Sequence, residues 1–315
     1  MLSRVAERVY WMARYLERAE NTARLLNVYS TLLFDMPRRT KVGWGSLIAI
    51  TGTEDEFKEK EKTPDETSVI RFLLNEQNGV SIRSMLAGVR ENARTTREII
   101  PAEAFEQINE LYLYSKEHAA SGVARGSRHE FLNEVIERCQ QITGLLAGTM
   151  SHNAAYSFIR IGRNLERADM TTRIVDVGTR NLLESEGSDA GDETKAKTYE
   201  NILWMSVLRS ISAYQMYRQH VRDRVNGEDV VLFLMQDSSF PRSVVHCLTQ
   251  VNNCIDDLPN NEDALRSVAK ALRHAKESKL AELRSEELFL LIDELQGEIG
   301  TIHQQIAATW FLKPE

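Results

Sequence analysis

The stretch RYLERAENTARLLNV at residues 14–28 recurs as RNLERADMTTRIVDV at residues 163–177. Eight of the fifteen positions are identical, and Glu20/Asp169, Leu25/Ile174 and Leu26/Val175 exchange conservatively. So dense a match points to an internal repeat, which has to be settled before any element is assigned. Two further anchors follow in the same order. Trp44, Ser46, Leu47 and Ile48 find counterparts 160 residues on in Trp204, Ser206, Val207 and Leu208. FLLNEQNGVSI at residues 72–82 resembles FLMQDSSFPRSV at residues 233–244, setting Ser81 against Ser243 and Ile82 against Val244. The offset grows from 149 to 160 and then to about 162, as a longer connector in the second copy would make it, and SEGSDAGDETK at residues 185–195 is such a connector. The expected organisation is two helical repeats, residues 1–149 and 150–315, forming one compact domain.

Inside the repeat, Val9, Met12, Leu16, Ala19, Ala23 and Leu26 follow one another at spacings of three and four, the signature of a long amphipathic helix. Phe158, Ile161, Leu165, Ala168, Thr172 and Val175 occupy the same register 149 residues later. Pro37 and the glycines of residues 187–191 are expected to end these helices. Helical periodicity also covers residues 44–50, 68–75, 81–100, 102–121, 129–146, 199–225, 243–255, 263–274 and 285–311. Connectors are expected at 53–65, 122–126, 226–229, 238–241 and 258–262. No period-two segment competes. The fold class is therefore all-α, an internally duplicated helical bundle with a pseudo-twofold relating its halves.

Composition limits the function classes. A chain with 42% apolar and 27% charged residues can build an ordinary core, and six prolines with sixteen glycines argue against disorder. A net charge of −7 gives no general basic surface for nucleic acid. The longest aliphatic and aromatic run, residues 230–235, is far short of the roughly 20 residues that a membrane span needs. The charged amino-terminal stretch has no apolar core of a signal peptide. With Cys139, Cys247 and Cys254 odd in number and without CxxC spacing, a reduced cytoplasmic protein is expected, its thiols packed in the core. No HExxH, GxxxxGK[ST], strand-linked GxGxxG or GxSxG occurs, so no metal, nucleotide cofactor or nucleophile is assigned.

The charges of the repeated helix carry the functional argument. Successive residues turn by about 100 degrees, which gathers Glu7, Arg14, Arg18 and Asn21 on one face with Glu17 and Arg24 beside them. The second copy presents Arg163, Glu166, Arg167 and Arg173, with Asp169 in place of Glu20. Solvated helix faces vary freely, so keeping Arg, Glu, Arg, acid and Arg in both copies implies a constraint. One reading is an ion-pair seam in which Glu17 meets Arg167 and Glu166 meets Arg18, with the bidentate geometry that arginine suits. Another is a binding pocket with surplus positive charge for a carboxylate, phosphate or peptide C-terminus and acids that could hold an amine, built from Arg14, Glu17, Arg18, Glu20, Arg24, Arg163, Glu166, Arg167, Asp169 and Arg173. A third, a carboxylate-bridged metal site, is disfavoured because the i+3 position holds an acid and not His, and arginines adjoin it. Arg90, Arg94 and Arg97 form a further helix stripe, read as solvated face over pocket wall. The loop at 238–244 either delivers Arg242 to the site or simply starts a helix at Ser243.

LSRVAERVYWMARYLERAENTARLL at residues 2–26 resembles the alpha-E family, helical bacterial domains named for their Glu-Arg motif. The resemblance continues through RENARTTRE at 90–98, NAAYSFIRIGRNLERADMTTRIVDV at 153–177 and FPRSV at 240–244, so it covers essentially the whole chain. One departure is Asn78-Gly79, where the family pattern has Asn-Pro. The resemblance implies a setting: such domains accompany circularly permuted ATP-grasp ligases, which make acyl phosphates for attack by amines, and often transglutaminase-like proteases. The expectation that follows is an accessory protein binding an acidic amino acid, peptide or acyl intermediate for the ligase. Two other classes stay open: a peptide hydrolase or amide transferase using Glu17 or Glu166 as general base, and a structural scaffold in which the motifs clasp the repeats together.

Overall fold

Two 33-residue helices, α1 (Ser3–Asp35) and α8 (Ala154–Glu186), carry the repeated segment and lie against each other at the centre of the molecule. The computed structural model describes residues 3–35, 43–60, 63–186, 193–222, 224–280 and 285–311, among which there are fourteen α-helices and no strand. The remaining helices are α2 (Gly45–Thr51), α3 (Glu54–Lys60), α4 (Glu66–Leu74), α5 (Ile82–Arg94), α6 (Ala102–His118), α7 (Arg125–Thr149), α9 (Glu193–Ser210), α10 (Tyr214–His220), α11 (Gly227–Gln236), α12 (Val244–Asp256), α13 (Glu262–Glu277) and α14 (Ser285–Trp310).

The outer helices wall in the central pair. Helix α1 also packs on α5, α7 and α9, while α8 packs on α12, α14, α9 and α2. The predicted apolar seam is buried: Val9, Met12, Leu16, Ala19, Ala23 and Leu26 on α1, and Phe158, Ile161, Leu165, Ala168, Thr172 and Val175 on α8. Because the wall is nearly complete, the charged face is buried with it, including Arg14, Glu17, Glu20, Asn21, Asn164 and Glu166. The two backbones approach closely at Gly162, where an added methyl would lie 2.5 Å from the Tyr10 carbonyl oxygen.

Two serines start the helices that flank this pair. Ser81 and Ser243 each adopt an extended conformation and accept a bond from the backbone N–H three residues on, Ser84 and His246. Each hydroxyl also donates to a carbonyl upstream, of Glu76 and Asp237. The loop before Ser81 is braced by Asn78, which donates to Phe72 O at 3.0 Å and accepts from Val80 N at 3.0 Å and Ser81 N at 2.8 Å. Gly79 has φ +83. Proline, locked near φ −65, cannot adopt that conformation, so this turn, held by the Asn78 side chain, suits the glycine that the sequence has there.

Several boundaries differ from expectation. Residues 53–65 are not a plain connector, because they contain α3, whose acidic first turn and lysine-rich last turn suit the helix dipole and whose Phe57 packs edge-on to Phe72. The stretch 199–225 is not one helix: it breaks at Ser212, a left-handed residue with φ 55, after which Ala213 N bonds back to Leu208 O. Helix α5 stops at Arg94, and the hydroxyls of Thr95 and Thr96 bond back to its last carbonyls. Helix α7 begins at Arg125, inside the expected 122–126 connector. Pro37 and residues 187–191, read as helix terminators, lie outside the described residues.

The Gly162 contact yields a test. Gly162→Ala places a methyl against backbone that has no side chain to move aside, and overpacking of this kind costs about 1–3 kcal/mol. Urea denaturation of the variant should show a loss in that range, whereas Gly126→Ala, whose methyl would meet nothing within 4 Å, should not show it.

Candidate functional site

Neighbouring residues on a helix point about 100 degrees apart and do not face each other, so neither Glu-Arg dipeptide pairs within itself. The two exchange partners instead. Glu166 of α8 accepts Arg18 Nε at 2.5 Å on one oxygen and Arg18 Nη2 at 3.0 Å on the other. Glu17 of α1 has Arg167 Nε 2.9 Å from its Oε1, an ionic contact whose N–H is not directed at the oxygen. Both carboxylates are 1% exposed in their side chains. Contacts advance together along the two helices, from Tyr10 beside Gly162 to Arg18 beside Glu166.

A second cation completes each carboxylate, and here the two differ. Glu166 receives Arg14 Nε at 2.7 Å from the same helix that supplies Arg18. Arg14 also donates to Tyr10 Oη at 3.1 Å, and Tyr10 bonds His303 Nδ1 of α14 at 2.8 Å. Glu17 receives its second cation from Arg242, in the loop before α12. Arg242 Nη1 donates to Glu17 Oε1 at 2.8 Å and Asn21 Oδ1 at 2.6 Å, and its Nη2 donates to Glu20 Oε1 at 3.0 Å. Thr171 of α8 donates to the Arg242 carbonyl at 2.8 Å, which fixes the loop. Arg163, the counterpart of Arg14, makes no ion pair among the described residues, and burial with Arg167 alongside pushes its pKa down.

One turn further on, each helix has an internal i,i+4 pair. Arg24 holds Glu20 and reaches Ser212 Oγ at 2.7 Å, while Arg173 Nε holds Asp169 at 3.1 Å. The Arg173 guanidinium lies over Gly52, the left-handed residue that ends α2, where a Cβ would sit 2.2 Å from Nη1. Around Arg173 opens a cleft of about 230 Å³, lined by Arg18, Thr22, Thr51, Thr53, Glu56, Val80, Glu166, Asp169 and Met170. Arg18 and Arg173 are 31% and 32% exposed there, against 9% for Arg14 and 15% for Arg167.

The ten charged residues singled out in the sequence therefore do not line one pocket. Arg18, Glu166, Asp169 and Arg173 meet in the cleft. Arg14 supports it from behind, Glu17, Glu20, Arg24 and Arg167 form the closed opposite side with Arg242, and Arg163 lies near Glu17 on that side. Glu7 stays on the surface beside Arg4, Arg8 and Trp11. Arg90 and Arg97 stack on Tyr112 and Phe105 at the outside of α5, and Arg94 pairs with Glu91 in solvent. Thr22, Thr51, Gly52, Thr53 and Val80 escaped sequence reasoning, and the one signal available was the Thr-Gly-Thr closing a short helix. The two readings of the loop at 238–244 hold together, since Arg242 enters the site and Ser243 caps α12.

Electrostatics decides what these groups can do. Burial alone would raise the Glu166 carboxyl, but Arg18 and Arg14 overcome it and hold the pKa at about 2. Glu17 is likewise raised by burial and lowered further by Arg167 and Arg242, ending below the ordinary carboxylate value. A carboxylate held so far down is a poor proton acceptor near neutrality, which counts against either acid as a general base. The thiols of Cys139, Cys247 and Cys254 are free and buried, and burial pushes Cys247 up to about 12, so none is poised as a nucleophile. Among the described residues no group of three or more His, Cys, Asp and Glu is placed to hold a metal ion, and no helix is long and apolar enough to cross a membrane.

Comparison with known proteins finds one match. The family Alpha-E, described as a predicted alpha-helical domain with a conserved ER motif, matches residues 1–311. No curated protein and no solved structure matches the chain.

The lowered carboxyl of Glu166 fixes a pH dependence. Its folded pKa lies below the ordinary 4.5, so the stability it contributes is complete above 4.5 and is lost as pH falls toward about 2. Glu166→Gln leaves two arginines without their shared charge and should cost about 3–5 kcal/mol at neutral pH. Denaturant titrations at a series of pH values should show the variant's stability falling less than the parent's across that acid window.

Proposed function

This chain belongs to the Alpha-E family, and we propose on that footing that it is an internally duplicated binding protein whose cleft around Arg173 takes a small carboxylate ligand. The duplication joins halves 1–149 and 150–315 about a pseudo-twofold axis. Equal lengths of α1 and α8, the reciprocal Glu-Arg exchange, the paired caps at Ser81 and Ser243 and the left-handed residues Gly52 and Ser212 after α2 and α9 all support it. So does the crossed packing of α2 on α8 and α9 on α1. The clasp holds the halves together; the cleft beside it is the binding site.

One observation carries the reading. Arg18 commits Nε and Nη2 to Glu166, and Arg173 commits Nε to Asp169, so the Nη1 of Arg18 and the Nη pair of Arg173 remain as donor capacity on the cleft wall. Thr22, Thr51 and Thr53 line the same space, with the Thr51 hydroxyl bonded to the Leu47 and Ile48 carbonyls and paired with that of Thr53 at 2.9 Å. Two accessible guanidinium edges suit a carboxylate or acyl phosphate. The ligand class is an acidic amino acid, peptide or acyl intermediate. The partner implied by the family resemblance is a circularly permuted ATP-grasp ligase, whose chemistry uses carboxylates and amines of this kind.

Arg173→Ala removes cleft donors without touching the clasp. A charge-assisted bond of about 1.5–3 kcal/mol makes the expected loss of affinity about 10- to 100-fold. Calorimetric titration with small carboxylates should show it at an unchanged melting temperature. The matched variant on the closed side, Arg24→Ala, should bind normally. Equal affinity in Arg173→Ala and the parent would contradict the assignment.

A further inference from the structure

The two sides of the clasp differ at one position. Ser243 and Ser81 occupy the same capping place at the start of α12 and α5, and the residue before each is Arg242 on one side and Val80 on the other. Arg242 is 8% exposed, and its guanidinium bridges Glu17, Glu20 and Asn21. The positions matching those two acids are Glu166 and Asp169, and both line the cleft together with Val80. The cleft thus lies where an arginine side chain fills the opposite side, and it remains because valine ends short.

We propose that this position is a cation subsite and that the ligand of the cleft is an α-amino acid, its ammonium taking the place that the Arg242 guanidinium holds on the closed side. The proposal rests on the reading that the cleft binds a carboxylate, and it specifies the rest of the ligand. Arg18 and Arg173 on the lining, with Arg14 behind Glu166, stand against Glu56, Glu166 and Asp169, three cations to three acids. Glu56 adds an acid where the 160-residue offset of the α2 region leads to Met216 on the closed side. A bare anion would unbalance these charges, whereas a zwitterion brings a cation with it. Arg173 Nε engages Asp169 Oδ2, which leaves Oδ1 as an acceptor for an N–H donor. On the closed side a cation already sits in this company: Arg242 and Arg24 share Glu20 Oε1, and Arg242 and Arg167 share Glu17 Oε1. A volume of about 230 Å³ lies below the range of about 300–1,000 Å³ common for drug-sized ligands and suits a single amino acid over a longer peptide.

The test is calorimetric titration of the full chain with each proteinogenic α-amino acid, beside its N-acetyl derivative and its desamino carboxylic acid. At least one amino acid should bind, and blocking or removing its amine should weaken binding tenfold or more. Asp169→Asn should remove that discrimination while keeping the carboxylate affinity. Val80→Arg should fill the subsite with the chain's own guanidinium and abolish binding with the helical signal intact. Equal binding of amino acids and their desamino counterparts would overturn the cation subsite and leave the carboxylate reading standing. Absence of binding by every probe would overturn the carboxylate reading and the proposal with it. A folded Val80→Arg chain that binds amino acids as the parent does would also overturn the proposal.

Discussion

Two carboxylates, Glu17 and Glu166, are buried at the centre of a helical bundle, and the rest of the arrangement follows from the need to surround them with cations. Removing a charge from water is costly, and a buried carboxylate persists as an anion only with a well-placed partner and further hydrogen bonds. Helix geometry denies each glutamate its own neighbouring arginine, so the partner has to come from the other long helix. That requirement ties α1 to α8 in one relative position. A slip by a turn would strand two buried acids and two arginines, and such a clasp therefore specifies register more than it adds stability. The close backbone approach at Gly162 belongs to the same register, since a change in spacing would pull Arg18 off Glu166.

Much of this was legible in the sequence, for identifiable reasons. The seam from Val9 to Leu26 announces itself through spacing alone, and its second copy removes the ambiguity that a single amphipathic stretch would carry. The Glu-Arg exchange was legible because the repeat shows which charges two copies retain. What a single chain does not display is how completely a helix is surrounded. The charges were consistent with a face in water, and it is the packing of α8 and of the Arg242 loop against that face that buries them. Helix α3 went unread because EDEFKEK offers one apolar residue, Phe57, and no period can be drawn through one point. The break at Ser212 went unread because serine does not advertise a left-handed backbone as glycine does. Val80 could not be recognised either, since its significance is the charge it lacks, and only Arg242 in the matched place gives that lack a meaning.

The clasp and the cleft divide the work of the motif. On the side closed by Arg242, acids and arginines saturate one another. On the side of Val80, Glu166 still holds the helices together, but Arg18 is a third exposed and shares a wall with Arg173 and three threonines. Two similar segments thus differ in their surroundings with nearly the same residues, one closed by Arg242 and the other left open beside Val80. The depression of about 860 Å³ between α13 and α14 is larger than the cleft, but it is open to solvent, and its lining cations and acids already include the Lys270–Glu298 and His274–Glu298 pairs.

The central claim is that each glutamate is served by the arginine of the other helix and not by its own neighbour. A double-mutant cycle measures this directly, using Glu17→Gln with Arg167→Met for the exchanged pair and Glu17→Gln with Arg18→Met for the adjacent one. Coupling between residues in contact falls in the range of about 0.5–3 kcal/mol. A value within that range is expected for Glu17 with Arg167 and a value near zero for Glu17 with Arg18. Coupling confined to the adjacent pair, with none across the helices, would contradict the claim.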